Sequence, residues 1–422
     1  MATDVEVQFF SHLNGLTLGN NWGDLIRLLD RALVTGIDFT PITAASVDEQ
    51  GDIHITLYAA HNAMLFQVVE LSGFTPTSLN QKYRIKGVPN TTQLILKPAV
   101  DIAERSITTI GMGKLGSLGY EIIFRDTGDV KRVYRAKDPS AQHPFIRVDE
   151  SLTSLDGTTG VYTSTYAKYA MVGLLEHMEH IDDYENPDVL QLPFDPTDPA
   201  KNWKITGIGN SVVRGWSRWY WTASGILLNN PADQDSSASG NRHFTLIGCA
   251  DYFYLINPTT LNMQYKTIKG CGLFDATTES DVIPNWFLIS LETTVAASST
   301  SKGEITGSLF HSLNRSKFSI PKYATVAQLS LSTKANPILP DYRSGERSLN
   351  TMTASDTPAL QIPFYDDDRV LRGTLPAVHY AGKQINEMLI TTPILSGSSM
   401  YVWESHANNS GGGALYYIGE LE

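Results

Sequence analysis

Leu175-Glu-His177-Met-Glu-His180-Ile-Asp-Asp183 sets two imidazoles three residues apart among four carboxylates, a donor set that suits zinc or another divalent ion. On a helix the two rings would share a face and reach one ion. The zincin pattern instead spaces its histidines four apart with a glutamate beside the first, and two ligands without a placed third and fourth do not close a tetrahedral site. A solvated acidic face with surface histidines is the better reading, and no metal is assigned. Asp366-Asp-Asp368 beside Arg369 lacks the alternating acids, glycine and distal glutamate of a calcium loop. It reads as structural charge pairing or plain solvation.

Gly111-Met-Gly113-Lys-Leu-Gly116 fits the Gly-x-Gly-x-x-Gly pattern after the apolar stretch Ile107 to Ile110. Dinucleotide binding requires a helix to begin there, so that its first amides face the pyrophosphate. The next residues are Ser117-Leu-Gly119 and a strand-like Tyr120-Glu-Ile-Ile-Phe124, so a glycine-rich turn is expected and no cofactor. No Gly-x-Ser-x-Gly elbow occurs, and no acid/base pair is nominated, so no catalytic residue is assigned and an enzyme is not expected.

The densest aromatic cluster is Arg214-Gly-Trp216-Ser-Arg218-Trp219-Tyr-Trp221. Exposed, Trp216, Trp219 and Trp221 could stack on sugar rings or a partner protein, with the arginines adding cation–π contacts. On a strand, Trp219 and Trp221 fall on one face and fill a core, which is the stronger reading. The three tryptophans are retained as candidate partner or glycan contacts.

The elements that must position these groups are mostly strands. One helix is expected over Trp22 to Val34, where Trp22, Leu25, Ile26, Leu28, Leu29, Ala32 and Leu33 recur at steps of three and four, with Asn20 or Asn21 as cap and Gly36 as stop. Beyond it, Ile53, Ile55 and Leu57 alternate with polar residues. Similar short runs follow at Phe66 to Leu71, Leu94 to Leu96, Tyr120 to Phe124, Val130 to Tyr134, Phe145 to Val148, Phe244 to Ile247, Tyr252 to Ile256, Met263 to Ile268, Trp286 to Leu291 and Ala414 to Ile418. Turn clusters such as Gly87-Val-Pro-Asn90 separate them, which points to antiparallel sandwich or barrel-like sheets. Long polar segments at Asn186 to Asn202, Asn229 to Asn241 and Asn336 to Pro363 read as surface loops or an extended arm.

At 422 residues the chain is long enough for two or three domains. Its 32 basic and 44 acidic residues give a charge of -12, which argues against a phosphate-backbone nucleic-acid binder. No apolar run approaches the roughly 20 residues of a membrane helix, and no basic and apolar leader opens the sequence, so a soluble protein made in the cytoplasm is expected. Cys249 and Cys271, spaced like no zinc motif, are expected as free thiols.

Several segments in order resemble a family of tailed-bacteriophage virion structural proteins of undefined role. The helix carries Leu29-Asp30-Arg-Ala-Leu33-Val34-Thr-Gly36, matching the family's Leu-Asp-x-x-Leu-Val-x-Gly. His61, Gly73-Phe-Thr-Pro76, Leu79-Asn80 and Tyr83-Arg-Ile85 then follow the pattern of a small β module. Tyr134-Arg135, Arg147-Val148-Asp149, Phe244-Thr-Leu246-Ile-Gly248, Phe253-Tyr254-Leu255 and Leu371-Arg372-Gly373-Thr-Leu375-Pro376 resemble later elements. The chain departs from the family at Met171 to Met178, where a Gly-Tyr-Glu-x-Met-Thr-Asp-Val segment is usual, and at Gly248-Cys249-Ala-Asp251.

The resemblance implies a place in a virion assembled in the host cytoplasm, and no catalytic residues. The expected fold is mainly β, with antiparallel sandwich or barrel-like domains, one N-terminal amphipathic helix and long loops or arms. The expected division is 1–105, helix plus small β module; 106–335, a central β domain with long loops at 186–202 and 229–241; and 336–422, arm plus C-terminal β segment. The expected role is a non-enzymatic part of the tail end, as baseplate, tail-tip or fibre-anchoring protein, with a neck, collar or capsid-surface place as alternative. The expected partners are other phage virion proteins and further copies in a symmetric ring, with no nucleic acid and no membrane insertion. A glycan-binding receptor-recognition protein is the alternative of another class.

Overall fold

Alternation of apolar and polar residues makes the strands: along Ile53–Leu57 the two isoleucines and the leucine are buried while His54 and Thr56 are half-exposed. The computed structural model describes residues 4–163, 165–195, 197–223, 236–261, 266–278, 282–292, 317–325, 332–338, 359–381, 390–405 and 413–421. Among them the protein is mainly β, with curled antiparallel sheets that form half-barrels and one helix, as the sequence patterning implies.

The central sheet has 13 strands. Along its main path run Gln8–Ser11, Thr245–Gly248, Tyr252–Pro258, Lys266–Leu273, Trp286–Glu292, Ser217–Thr222, Lys168–Leu175, Phe145–Asp149, Lys131–Ala136 and Tyr120–Arg125. Its inner strands are buried on both faces; every residue of Lys168–Leu175, Ser217–Thr222 and Tyr252–Pro258 is buried. That pattern is unusual for an antiparallel sheet, which commonly leaves one face to water. Here further layers cover both sides.

On one face lie the helix and a seven-stranded sheet, ordered Ile37–Asp38, Met112–Leu115, Val68–Ser72, Lys82–Asn90, Gln93–Pro98, Ile53–Leu57 and Ile42–Val47. Both edges come from one stretch of chain, residues 37–47, which draws the sheet into a half-barrel. Phe10, Leu246, Phe253, Trp219 and Trp221 of the central sheet pack there with Leu25, Ile55 and Leu96. On the other face Phe9, Ile247, Tyr254 and Phe287 meet Phe364, Val402, Tyr416 and Ile418 of the C-terminal sheet. That sheet contains Asn336–Pro337, Leu360–Tyr365, Leu371–Ala381, Gly413–Glu420, Ser399–Ser405 and Thr392–Ser396 in order, with Asp275–Ala276 added on Leu371–Ala381. Phe9 and Phe10 therefore serve two cores, as successive strand residues must.

Buried charges tie the layers together. The Arg84 guanidinium donates to the carbonyls of Asp4, Val7, Phe66 and Ile418 at 2.6–2.9 Å. Gln8 Nε2 donates to Val68 and Gly116 carbonyls, both at 2.8 Å. Lys266 and Glu404 form an ion pair at 2.5 Å between the central and C-terminal sheets, with both side chains nearly inaccessible. A charge buried in this way is retained only when paired and hydrogen-bonded.

The helix is shorter than the apolar stripe: regular α-helix covers Asp24–Leu29 and a wider π-type coil continues over Asp30–Thr35. Asn20 and Asn21 do not cap it. Gly23 takes the N-cap position at φ 85°, without a side-chain cap, and the Glu150 carboxylate accepts from the amides of Gly23 and Ile26 instead. A carboxyl oxygen that accepts from these otherwise unpaired amides satisfies them. At the other end Gly36, at φ 72°, approaches so closely that an added Cβ would stand 2.1 Å from the Leu115 carbonyl oxygen.

The long segments differ from free loops where they are described. Around Asn186–Asn202, Leu190, Gln191, Leu192, Phe194 and Asn202 are buried. Asn202 Nδ2 donates to the Val172 carbonyl at 2.7 Å, and its Oδ1 accepts from the amides of Trp216 and Ser217. This segment is a covering layer on the central sheet, because Gln191–Leu192 pairs with Leu174 and Leu175 and its leucines, Leu190 and Leu192, join the core that contains Leu174. The ends of the expected arm, Asn336–Pro337 and Leu360–Tyr365, are paired strands of the C-terminal sheet; residues 339–358 lie outside the described residues, as do 229–235 of Asn229 to Asn241.

Candidate functional site

Strand Ser217–Thr222 lies between Lys168–Leu175 and Trp286–Glu292. Its period of two puts Trp219 and Trp221 on one face, and both are 0% exposed. Trp219 Nε1 donates to the Ile289 carbonyl at 2.9 Å, and its ring meets Phe253 edge-on at 5.8 Å. Trp221 meets Trp22 edge-on at 5.8 Å. As surface contacts, Trp219 and Trp221 are corrected: a ring enclosed by two layers cannot stack on a glycan or a partner. Trp216 alone is half-buried, with the Lys201 ammonium 5.4 Å above its ring.

On the opposite face Tyr220 packs with Tyr169 and Tyr162. The Arg214 and Arg218 guanidinium carbons lie 4.5 and 4.7 Å from the centre of the Tyr169 ring. Arg214 is also 4.9 Å from Trp22 and donates to the Tyr169 carbonyl at 3.2 Å. Glu150, which caps the helix, is pushed up to about 8: burial outweighs the helix amides and Arg214, which act to lower it. This cluster is enclosed and holds the helix against the sheet.

The other chemistry-bearing segments do not converge. His177 lies 61% exposed, 3.8 Å from the Glu179 carboxylate, and His180 is also on the surface. Among the described residues no group of three or more His, Cys, Asp or Glu is placed to hold a metal ion. Asp366 closes a turn, its carboxylate accepting from the Val370 amide at 2.9 Å and from Arg372 at 3.4 Å. Gly111 and Gly113 flank Met112 at a strand, not at a helix start. An added Cβ at Gly111 would stand 2.0 Å from the Ser72 carbonyl oxygen, so the glycine serves close strand packing.

What sequence reasoning missed is a cleft of about 360 Å³ at one end of the central sheet. The ends of strands Lys131–Ala136 and Phe145–Asp149 supply Lys131 and Asp149, loops supply Leu155, Glu185 and the buried Tyr184, and the short helical turn Pro199–Trp203 supplies the buried Trp203. Tyr184 and Trp203, 5.8 Å apart, are held by Arg147, whose guanidinium carbon is 4.8 Å from one ring and 4.4 Å from the other. Arg147 in turn donates to the Ile181 carbonyl at 2.7 Å and to Asp182 at 2.6 Å, and lies 3.0 Å from Asp149. Burial pushes the Asp149 carboxyl up, but Arg147, Lys131 and the bonds from Ser151 outweigh it and hold it below its ordinary value. The available signal was the pair of aromatics bracketing the Pro- and Asp-rich segment, with Arg147-Val-Asp149 ending a strand.

No protein-family model matches the chain, and no curated protein matches it either.

Proposed function

We propose that this chain is a non-enzymatic structural component of a tailed-bacteriophage particle, placed at the tail end as a baseplate, tail-tip or fibre-anchoring part that joins neighbouring subunits. The observation that carries the reading is the use made of buried polar and charged side chains. Arg84, Lys266 with Glu404, Gln8 and Glu150 each link segments far apart in the chain. They make one body of stacked sheets, as a part that transmits force between neighbours requires. The ordered resemblance from Leu29 to Pro376 supports the same reading. Assembly into a closed ring would use a heterologous contact repeated around the axis.

The test is copy number and position in purified particles. Quantitative mass spectrometry is expected to give about a dozen copies or fewer, a number fitting one ring, and antibody labelling in electron microscopy is expected at the tail end. Hundreds of copies would move the protein to the capsid surface. Its absence from purified particles would overturn the proposal.

A further inference from the structure

We infer that the paired imidazoles of His12 and His243 are an acid-sensitive latch: protonation of the pair loosens the joint where the end of strand Gln8–Ser11 meets Thr245–Gly248 and the C-terminal sheet. The inference stands apart from the particle assignment, since it rests on this joint alone.

The joint is built from segments far apart in the chain. Ser11 pairs with Thr245, and the next rung is the His12 amide, which donates to the Phe244 carbonyl at 3.2 Å. The Ser11 hydroxyl lies 3.0 Å from that of Thr391, which precedes strand Thr392–Ser396. Thr391 also bonds to Thr245, Thr245 donates to the Glu404 carboxylate, and Glu404 holds Lys266. Ser11, Thr245, Thr391 and Glu404 are all buried. The two half-buried imidazoles adjoin this network, His12 Nδ1 lying 3.2 Å from the Ser11 hydroxyl. Their ring centres are 3.9 Å apart, with the planes at 50°.

The neutral pair fits this place and the charged pair does not. Neutral rings pack at this separation, whereas two imidazolium ions 3.9 Å apart repel. Lys266 adds a third positive charge that acts on both rings, and Glu404, the carboxylate that acts on His243, is already bonded to Lys266 and Thr245. Arg242, beside His243 in the chain, is turned away and donates to Thr222 Oγ1 at 2.7 Å. Protonation also makes both nitrogens of each ring donors. His243 Nδ1 is buried without a hydrogen-bond partner among the described residues, so its N–H would be stranded. Burial, then His243 and Lys266, lower His12 from 6.5 to about 4, against the Phe244 carbonyl, which raises it. Burial and Lys266 lower His243 as well, against Glu404. Between pH 4 and 6.5 an opened joint therefore holds a proton on His12 that the closed joint lacks, and the closed form loses ground as pH falls.

The test is hydrogen–deuterium exchange read by mass spectrometry on the full-length protein at pH 7 and pH 5, with rates corrected for the intrinsic effect of pH. Peptides covering residues 8–14 and 243–248 are expected to lose protection about twentyfold at pH 5, the factor given by one imidazole that titrates at about 4 in the closed joint and 6.5 in the open one. The strand Ile53–Leu57, away from the joint, is expected to keep its protection. In the double variant His12→Gln with His243→Gln the loss at the joint is expected to shrink to about twofold or less, with protection at pH 7 retained. The inference is overturned if the joint is equally protected at both pH values, if Ile53–Leu57 loses as much as the joint, or if the double variant loses as much as the wild type. Should the double variant fail to fold, titration of the wild-type His12 ring by NMR decides: a midpoint near 4 upholds the latch and one near 6.5 overturns it.

Discussion

The Glu150 carboxyl group accepts a hydrogen bond from the Ile26 amide at 2.9 Å, across 124 residues of chain, and so caps the helix from the residue that follows strand Phe145–Asp149. The cap joins the stability of the helix to that of the sheet.

Replacing Glu150 with Ala is expected to lower stability by about 3 kcal/mol, because it strands two buried amides and opens a cavity. The pH dependence has a definite sign. The folded carboxyl titrates near 8 and the unfolded one near 4.5, so between these values the folded state keeps a proton that the unfolded state has released. Stability therefore falls as pH rises through that window. Urea titrations of wild type and Glu150→Gln across the window should give a difference that shifts steadily in favour of the variant. A constant difference would refute the assignment.

Lys269 gives the opposite slope. Burial lowers it from 10.5 to about 7, while its ammonium donates to Asn257 Oδ1 at 2.6 Å and Thr267 Oγ1 at 2.7 Å. Between pH 7 and 10.5 the unfolded state holds a proton that the folded state lacks, so Lys269 costs progressively less stability as pH rises. Relative to Lys269→Met, the wild type should gain stability across that range; parallel pH profiles would reject the prediction.

Trp219→Ala and Trp221→Ala are each expected to cost about 3–5 kcal/mol, the usual loss for an aromatic removed from a packed core. Trp216→Ala should cost roughly 1 kcal/mol or less. Chemical denaturation of the three variants separates them, and an equal loss at Trp216 would contradict its half-buried placement.

Cys249 and Cys271 are both buried free thiols, packed in different cores on the two faces of the central sheet. Burial pushes the Cys249 thiol up to about 12 and raises Cys271 well above its ordinary value, which suppresses the reactive thiolate. An alkylating reagent should label neither quickly in the native protein and both after denaturation without reductant. Fewer than two labels in the denatured, unreduced protein would show a bridge.

The sequence by itself determined what depends on neighbours along the chain. The two-residue period puts Trp219 and Trp221 on one face, and the same alternation makes Ile53–Leu57 a strand. The residues after Gly116 forbid a helix and dispose of a dinucleotide site. Tertiary structure decided everything that needs two distant segments to meet. That both faces of Ser217–Thr222 are covered follows from layers supplied by residues near 25–96 and 152–167, and no local pattern reports it. The helix stripe ran to Val34, yet Glu150 set its first turn and the close approach of Gly36 to Leu115 set its end. The Pro- and Asp-rich segment looked like a loop because its composition is polar. It is ordered because a few of its residues, Leu192, Asn202 and Trp203, find buried partners in Lys168–Leu175. The cleft has the same origin: strand pairing sets Lys131 opposite Asp149, while Tyr184 and Trp203 come from two further segments and meet them through Arg147 and the core, since burial and hydrogen bonding act through space while periodicity acts along the chain.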